Sequence, residues 1–348
     1  MKKFVQIVGR GEKLSRDLTR EEAAEAMRAL LAGRGTAAQV GGFLIAKRIK
    51  GESAEECVGF TLGARDAFEP PALAPAASAD FGSPHDGRER TAPLTWLSAI
   101  ICASGGVGAV ASGTPRLAPK HGVGVPEVLE ALGVDPLAAG SLGPSTLETL
   151  GLAYQPVEQW LPAWESYRPV REELGLRTIF NTVEKLLNPC RCDHAVVGVF
   201  HKPYLERLGE AMRHLGLKRA LVVQGTEGGV VPSVRRKTRL VWVESEGLTE
   251  DVIDPKDLGL DHAEEPSMPK EASAIAQSYR LVMDSAREAD PSWRDAACLA
   301  SGLAFALIQG TSVADGVQRA RELLEKGEVA RLWERWTALV TEGLTVSS

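Results

Sequence analysis

The sequence predicts an α/β protein: a small N-terminal α-helical domain over residues 1–70, then a larger α/β domain over 71–348 with a mostly parallel central sheet. Three observations carry this. Capping boxes and helix-spaced apolar residues fill the first 65 or so positions. A Pro- and Ala-rich stretch follows. Beyond it, short apolar runs of strand length alternate with helical patterns, the arrangement expected of parallel strands covered by helices on both faces.

Thr19 and Glu22 form a capping box, and Ala23, Met27, Leu30 and Leu31 follow at helical spacing until Gly33 and Gly35 end the helix. A second helix runs from Gln39 to Lys50 with Val40, Phe43 and Leu44 on one face, and Ser53 with Glu56 caps a third. Helices this short cannot bury their apolar stripes alone, so they must pack on another part of the chain or on a second copy. Residues 69–80, EPPALAPAASAD, suit a hinge between domains. Leu94 to Ala103 then reads as an apolar helix, Gly108 to Ser112 as a strand after a glycine turn, and Pro126 to Leu132 as a helix start. AVVGVF at 195–200, ALVV at 220–223 and LVWV at 240–243 read as strands, with a helix over 204–215 between the first two. Helices at roughly 270–287, 293–308, 313–326 and 328–341 complete the pattern.

Net charge is −6, so any nucleic-acid contact must come from a local basic patch rather than from the whole surface. Five scattered cysteines in a chain of this length point to a reducing, cytoplasmic setting. Cys190 and Cys192 form a C-x-C without a second pair, which is a weak metal pattern. The opening MKKFVQIVGRGEK has too short an apolar run for a signal peptide, and no window approaches the ~20 apolar residues that span a bilayer, so no membrane partner is expected.

Several segments resemble anthranilate phosphoribosyltransferase, glycosyltransferase family 3. They are LTREEAAEAMRALLAG and QVGGFLIAKRIKGES near the start, VLEALGV at 128–134, REELGLRTIFN with LLNP across 171–189, RHLGLKRALVVQGTEG at 213–228, IDPKDLGL at 253–260 and GVQRARELLEKGE at 316–328. The resemblance covers nearly the whole chain in preserved order. It implies a nucleoside phosphorylase/phosphoribosyltransferase-like fold with its cleft between the domains. It also implies a homodimer formed through the helical domain, to which about 165–190 contributes.

A phosphoribosyltransferase must hold a diphosphate leaving group, usually through Mg²⁺ and backbone N–H groups. Glycines allow the close approach and carboxylates hold the metal. Where the family has G-T-G-G-D-G, this chain has Gly82-Ser83-Pro84-His85-Asp86-Gly87. Proline removes an N–H donor, and histidine adds bulk where a phosphate would sit. His85 reads equally as a phosphate or base contact and as a solvent-facing loop residue. The family's K-H-G-N falls by spacing on Ala111-Ser112-Gly113-Thr114; a literal Lys120-His121-Gly122 lies too close to VLEALGV, and the first register is preferred. The family's D-E pair falls on Val230 and Val231, whose methyls cannot ligate Mg²⁺, although Glu227 remains nearby. Arg171 matches an arginine that in the family contacts the anthranilate carboxylate, and reads equally as a surface arginine paired with Glu172 or Glu173.

Basic residues gather in one loop, Arg235, Arg236, Lys237 and Arg239, just past the altered metal pair. Arg88 and Arg90 follow the altered glycine loop, and Lys47, Arg48 and Lys50 lie on the second helix. On the implied fold the first two groups flank one cleft mouth and would attract phosphates through charge rather than metal. The bland reading is a solvated charged loop. VGRGEKLSRDLTREEA, GGFLIAKRIKGES and QGTEG without a following D-E resemble the YbiB-type paralogues of the family, which implies nucleic-acid binding by a dimer; LGLRTIFN and Arg171 stay closer to the transferases.

The expected function is therefore a homodimer that binds nucleic acid without strong sequence preference and needs no metal, cofactor or catalytic residue. Arg235, Arg236, Lys237 and Arg239 would hold phosphates, with Arg88 and Arg90 deeper in the cleft. The alternative is an active phosphoribosyltransferase using Mg²⁺ and phosphoribosyl diphosphate, with anthranilate or another aromatic or nucleobase acceptor on Arg171. Gly82, Ser83, Asp86, Ser112, Gly113 and Glu227 would then line the diphosphate pocket. A third reading is a protein that binds a small aromatic acid through Arg171 without metal.

Overall fold

Four helices open the chain in the computed structural model, which describes residues 1–11 and 13–347: α1 Lys2–Val8, α2 Arg20–Leu31, α3 Ala37–Lys50 and α4 Ala54–Arg65. Helices α2, α3 and α4 each start with a full capping box, Thr19 with Glu22, Thr36 with Gln39 and Ser53 with Glu56. These reciprocal bonds satisfy N–H groups that the first turn leaves without partners. The apolar stripes meet one another and also Val157, Trp160, Trp164, Ile179 and Phe180. The outside support that short helices require is thus a later segment of the same chain. Arg65 fastens the junction by donating to the carbonyls of Leu186 and Leu187, both at 2.9 Å. Lys47, grouped above with the basic face of this region, is fully buried and bonded to Glu56 at 2.6 Å.

Among the described residues seven strands form one sheet: β1 Ser78–Gly82, β2 Gly108–Gly113, β3 Leu152–Pro156, β4 His194–Gly198, β5 Arg219–Val223, β6 Thr238–Glu244 and β7 Gly247–Ile253. Their order is β3-β2-β1-β4-β5-β6-β7, parallel through β5, with β6 and β7 antiparallel. The hinge read as far as residue 80 ends earlier, because Ser78, Ala79 and Asp80 already pair with Gly108, Ala109 and Val110 of β2. One sheet face packs on the helices Thr95–Ser104 and Pro291–Gln309, with Trp96 and Phe305 in its core. The other packs on Pro203–Arg213 and on Cys57 and Val58 of α4.

The chain leaves β1 toward β2 and β3 on one side and returns as β4 and β5 on the other. The carboxyl ends of β1 and β4 therefore mark the switch point, the place where open α/β sheets take their ligands. Among the described residues no single helix is long and apolar enough to cross a membrane.

Candidate functional site

At the carboxyl end of β1 the altered glycine loop turns inward and is filled from within. His85 is 5% exposed, neither a surface loop residue nor an open contact. Its backbone N–H donates to Glu184 at 2.9 Å, its Nδ1 lies 3.5 Å from the same carboxylate, and its Nε2 lies 3.5 Å from the Ser112 hydroxyl. Burial, only partly offset by Glu184, pushes the imidazole pKa down. Arg171 donates at 2.9 Å to Glu184 Oε2, the oxygen that faces the His85 Nδ1, with 2% of its side chain exposed. Burial works to raise the Glu184 pKa, but Arg171 and His85 outweigh it and the carboxyl stays ionised. Arg171 thus holds an acid supplied by the chain itself, which corrects the reading of a surface arginine paired with Glu172 or Glu173.

Asp86 is fully buried and receives a two-pronged bond from Arg177, both contacts at 2.8 Å, so it does not face an open pocket. Ser83 lies 3.1 Å from the Thr95 hydroxyl. Gly82 abuts the Lys185 carbonyl, where an added Cβ would fall 2.4 Å away, and Gly113 lies against Pro126. The space left between Ser83, His85, Ser112 and Gly113 is about 30 Å³. That is the share of one water molecule, against the roughly 300–1,000 Å³ of small-molecule sites. Ser112 and Gly113 end β2 beside the end of β1.

The place of the metal pair does not fit a divalent cation. Val230 and Val231 are 1% and 2% exposed and belong to the main core. Glu227, at φ 52°, is already saturated: it accepts from the backbone N–H of Glu89, Arg90 and Thr91, from the Thr91 hydroxyl at 2.8 Å, and from Lys120 at 3.0 Å. Burial would raise its pKa, yet the bonds from Thr91 and Lys120 hold the carboxyl down at about 2. Lys120 is therefore an internal counter-ion of Glu227. Arg88 is likewise internal. It is 5% exposed rather than open at a cleft mouth, donates to Thr91 and Thr226 through Nη1, leaves Nη2 without a partner, and is lowered to about 10 by burial. Arg90 is exposed and turned toward Glu227, 3.8 Å away.

The open cationic surface lies next door, at the carboxyl ends of β4 and β5. A groove of about 420 Å³ is lined by Phe200, His201, Lys202, Arg236, Lys237 and Arg239. Lys237 reaches Asp254 at 3.4 Å, and Arg239 donates only to Gln224 at 3.4 Å. The loop bearing these cations is fixed by Ser233, whose hydroxyl accepts from the N–H groups of Arg235 and Arg236 at 3.1 and 3.0 Å and donates to Glu265. Arg235 is exposed but lies outside the groove. A second hollow of about 120 Å³ shares Phe200 and His201 and adds Arg48, Arg177, Lys185 and Tyr204. Lys185 donates to the Gly198 carbonyl at 2.8 Å, and burial lowers its pKa to about 8.

Phe200, His201, Lys202 and Lys185 were not singled out in the sequence. The signal was present as an aromatic–His–Lys run directly after an apolar strand, and as Glu184-Lys185 inside the otherwise apolar TVEKLLNP.

The chain matches the helical bundle domain of the glycosyl transferase family over residues 2–68 and the a/b domain of that family over 86–330. It is 35% identical to an anthranilate phosphoribosyltransferase of Thermus thermophilus, over 93% of this chain and 96% of that one. It is 31% identical to an uncharacterized protein of Aquifex aeolicus, over 88% and 93%. A crystal structure of the Thermus thermophilus enzyme superposes with a TM-score of 0.85 and 33% identity, covering 98% of each chain. The Saccharomyces cerevisiae enzyme, solved in complex with PRPP and Mg, superposes at 0.80 with 18% identity, a likeness of fold.

Proposed function

Since the chain belongs to the glycosyl transferase family of these two domains, we propose that it is a member that does not work on a metal-held sugar diphosphate and instead binds nucleic acid along the groove at the carboxyl edge of the sheet. The observation that carries this reading is the groove itself, where His201, Lys202, Arg236, Lys237 and Arg239 line one open channel while the space between Ser83, His85, Ser112 and Gly113 is only about 30 Å³. Lys237 already reaches Asp254, and the other cations of the groove gain most from polyanions, because each phosphate they neutralise releases a counter-ion. Anthranilate phosphoribosyltransferase activity is the reading that the relatives' names favour, and the saturated Glu227 and buried Val230 and Val231 weigh against it. An aromatic-acid site on Arg171 is disfavoured by the Glu184 already there.

The test is fluorescence anisotropy of a labelled 20-mer over a salt series. About four contacts, from Lys202, Arg236, Lys237 and Arg239, give an expected log–log slope of roughly −4 on duplex and −3 on single strands. A slope near zero removes the reading. Calorimetry with Mg²⁺ and phosphoribosyl diphosphate runs beside it, and a clear binding heat would return the chain to the transferases. Self-association through α1–α4 belongs to the same reading, supported by Ile49 and Leu14, exposed by 81% and 72%.

A further inference from the structure

We infer that the strand taken by this groove is single, with an unpaired base stacked on the ring of Phe200; the inference rests on the nucleic-acid reading above. Phe200 is 47% exposed and, among the described residues, is the only Phe, Trp or Tyr that is open to this degree. It stands two residues past β4, at the switch point where the fold places ligands. Phe200 lines both hollows, so cations lie on both sides of it: Lys202, Arg236 and Lys237 in one, Arg48 in the other. The His201 ring stands edge-on to it at 5.1 Å.

The ring also sits on a rigid support. The Val199 N–H donates to the Val223 carbonyl at 2.8 Å, and the Gln224 amide donates to the Phe200 carbonyl at 3.1 Å. Gly198 and Gly229 touch backbone to backbone just before it. An aromatic ring held out on a fixed backbone between two cationic hollows meets a backbone-tracking polyanion at base height. In a duplex the base faces are covered by their neighbours and only edges are offered. In a single strand the faces are bare, and each base stacked on an aromatic ring strengthens binding by roughly tenfold or more, without sequence preference.

The experiment uses the full chain, a labelled oligo-dT 20-mer and a labelled 20-bp duplex at one salt concentration, with Phe200→Ala, Phe200→Trp and the triple variant Arg236→Ala, Lys237→Ala, Arg239→Ala. The expected result is tighter binding of the single strand, on the order of tenfold loss of that affinity alone in Phe200→Ala, and recovery in Phe200→Trp. A 2-aminopurine placed in the strand should be quenched by the parent and the Trp variant and not by the Ala variant. Equal affinity for both forms, with Phe200→Ala changing neither, overturns the stacking inference and leaves the nucleic-acid reading standing. No binding of either form, unaltered by the triple variant, overturns both.

Discussion

Asp80 is a carboxyl group placed in the middle of a sheet. It is 2% exposed, one of its oxygens has no hydrogen-bond partner, and burial pushes its pKa up to about 7 against the pull of Arg65. The neighbouring thiols of Cys190 and Cys192 are themselves raised by burial and stay uncharged. The unfolded chain loses this proton near pH 4, while the folded chain keeps it until about pH 7. Between those values the folded state binds more protons, so stability falls as pH rises, and above pH 7 the loss is constant. Asp80→Asn should match the parent near pH 4 and exceed it by roughly 2–4 kcal/mol at pH 8, read as urea midpoints at pH 4, 6 and 8. A parallel pair of curves would show that Asp80 is ionised in the fold. Side-chain partnerships of this kind set what could be read in the sequence. Val230 and Val231 declare by chemistry alone that they cannot hold Mg²⁺. That Arg88 is buried, or that Arg171 is matched by Glu184 and Asp86 by Arg177, depends on partners as far as 138 residues apart, which no local pattern reveals.

Elements divide along the same line. Capping boxes at Thr19 and Ser53 are local, so those helices were readable. Strands β1, β3 and β7 were not, because each owes its existence to neighbours. The SADFG of β1 contains Ser78 and Asp80 yet is buried throughout, flanked by β2 and β4, while most of β7 is exposed and is held by pairing with β6 alone. The sharpest constraint between elements is the touch of β4 on the turn after β5. An added Cβ at Gly198 would fall 2.1 Å from the Gly229 carbonyl carbon, so the backbone must move. Gly198→Ala is expected to cost about 1–3 kcal/mol and, by shifting Phe200, to weaken single-strand binding beyond what stability explains. Gly41→Ala in α3 is the control: a Cβ there meets nothing within 4 Å, and the change should raise stability by up to ~1 kcal/mol. Thermal melts and anisotropy on the two variants separate a local clash from a general intolerance of alanine.

For the whole molecule, the net charge of −6 hides an uneven distribution, since a cationic groove sits on an otherwise acidic chain. A single groove of this size offers few contacts, and a second copy would double them. The helical domain supplies the candidate surface: Ile49 is 81% exposed beside a hollow of about 610 Å³ that also includes Val8 and Ala46. If two chains meet there, the second groove engages a long strand at an effective concentration on the order of millimolar, and affinity for long oligonucleotides rises well beyond that for short ones. Ile49→Glu places a charge in that contact without touching the groove. It should convert a dimer to a monomer by sedimentation velocity, leave the melting temperature nearly unchanged, preserve affinity for a 10-mer and lose at least tenfold on a 60-mer. A parent that already sediments as a monomer at micromolar concentration, or an Ile49→Glu variant that remains a dimer, would remove this face from the interface.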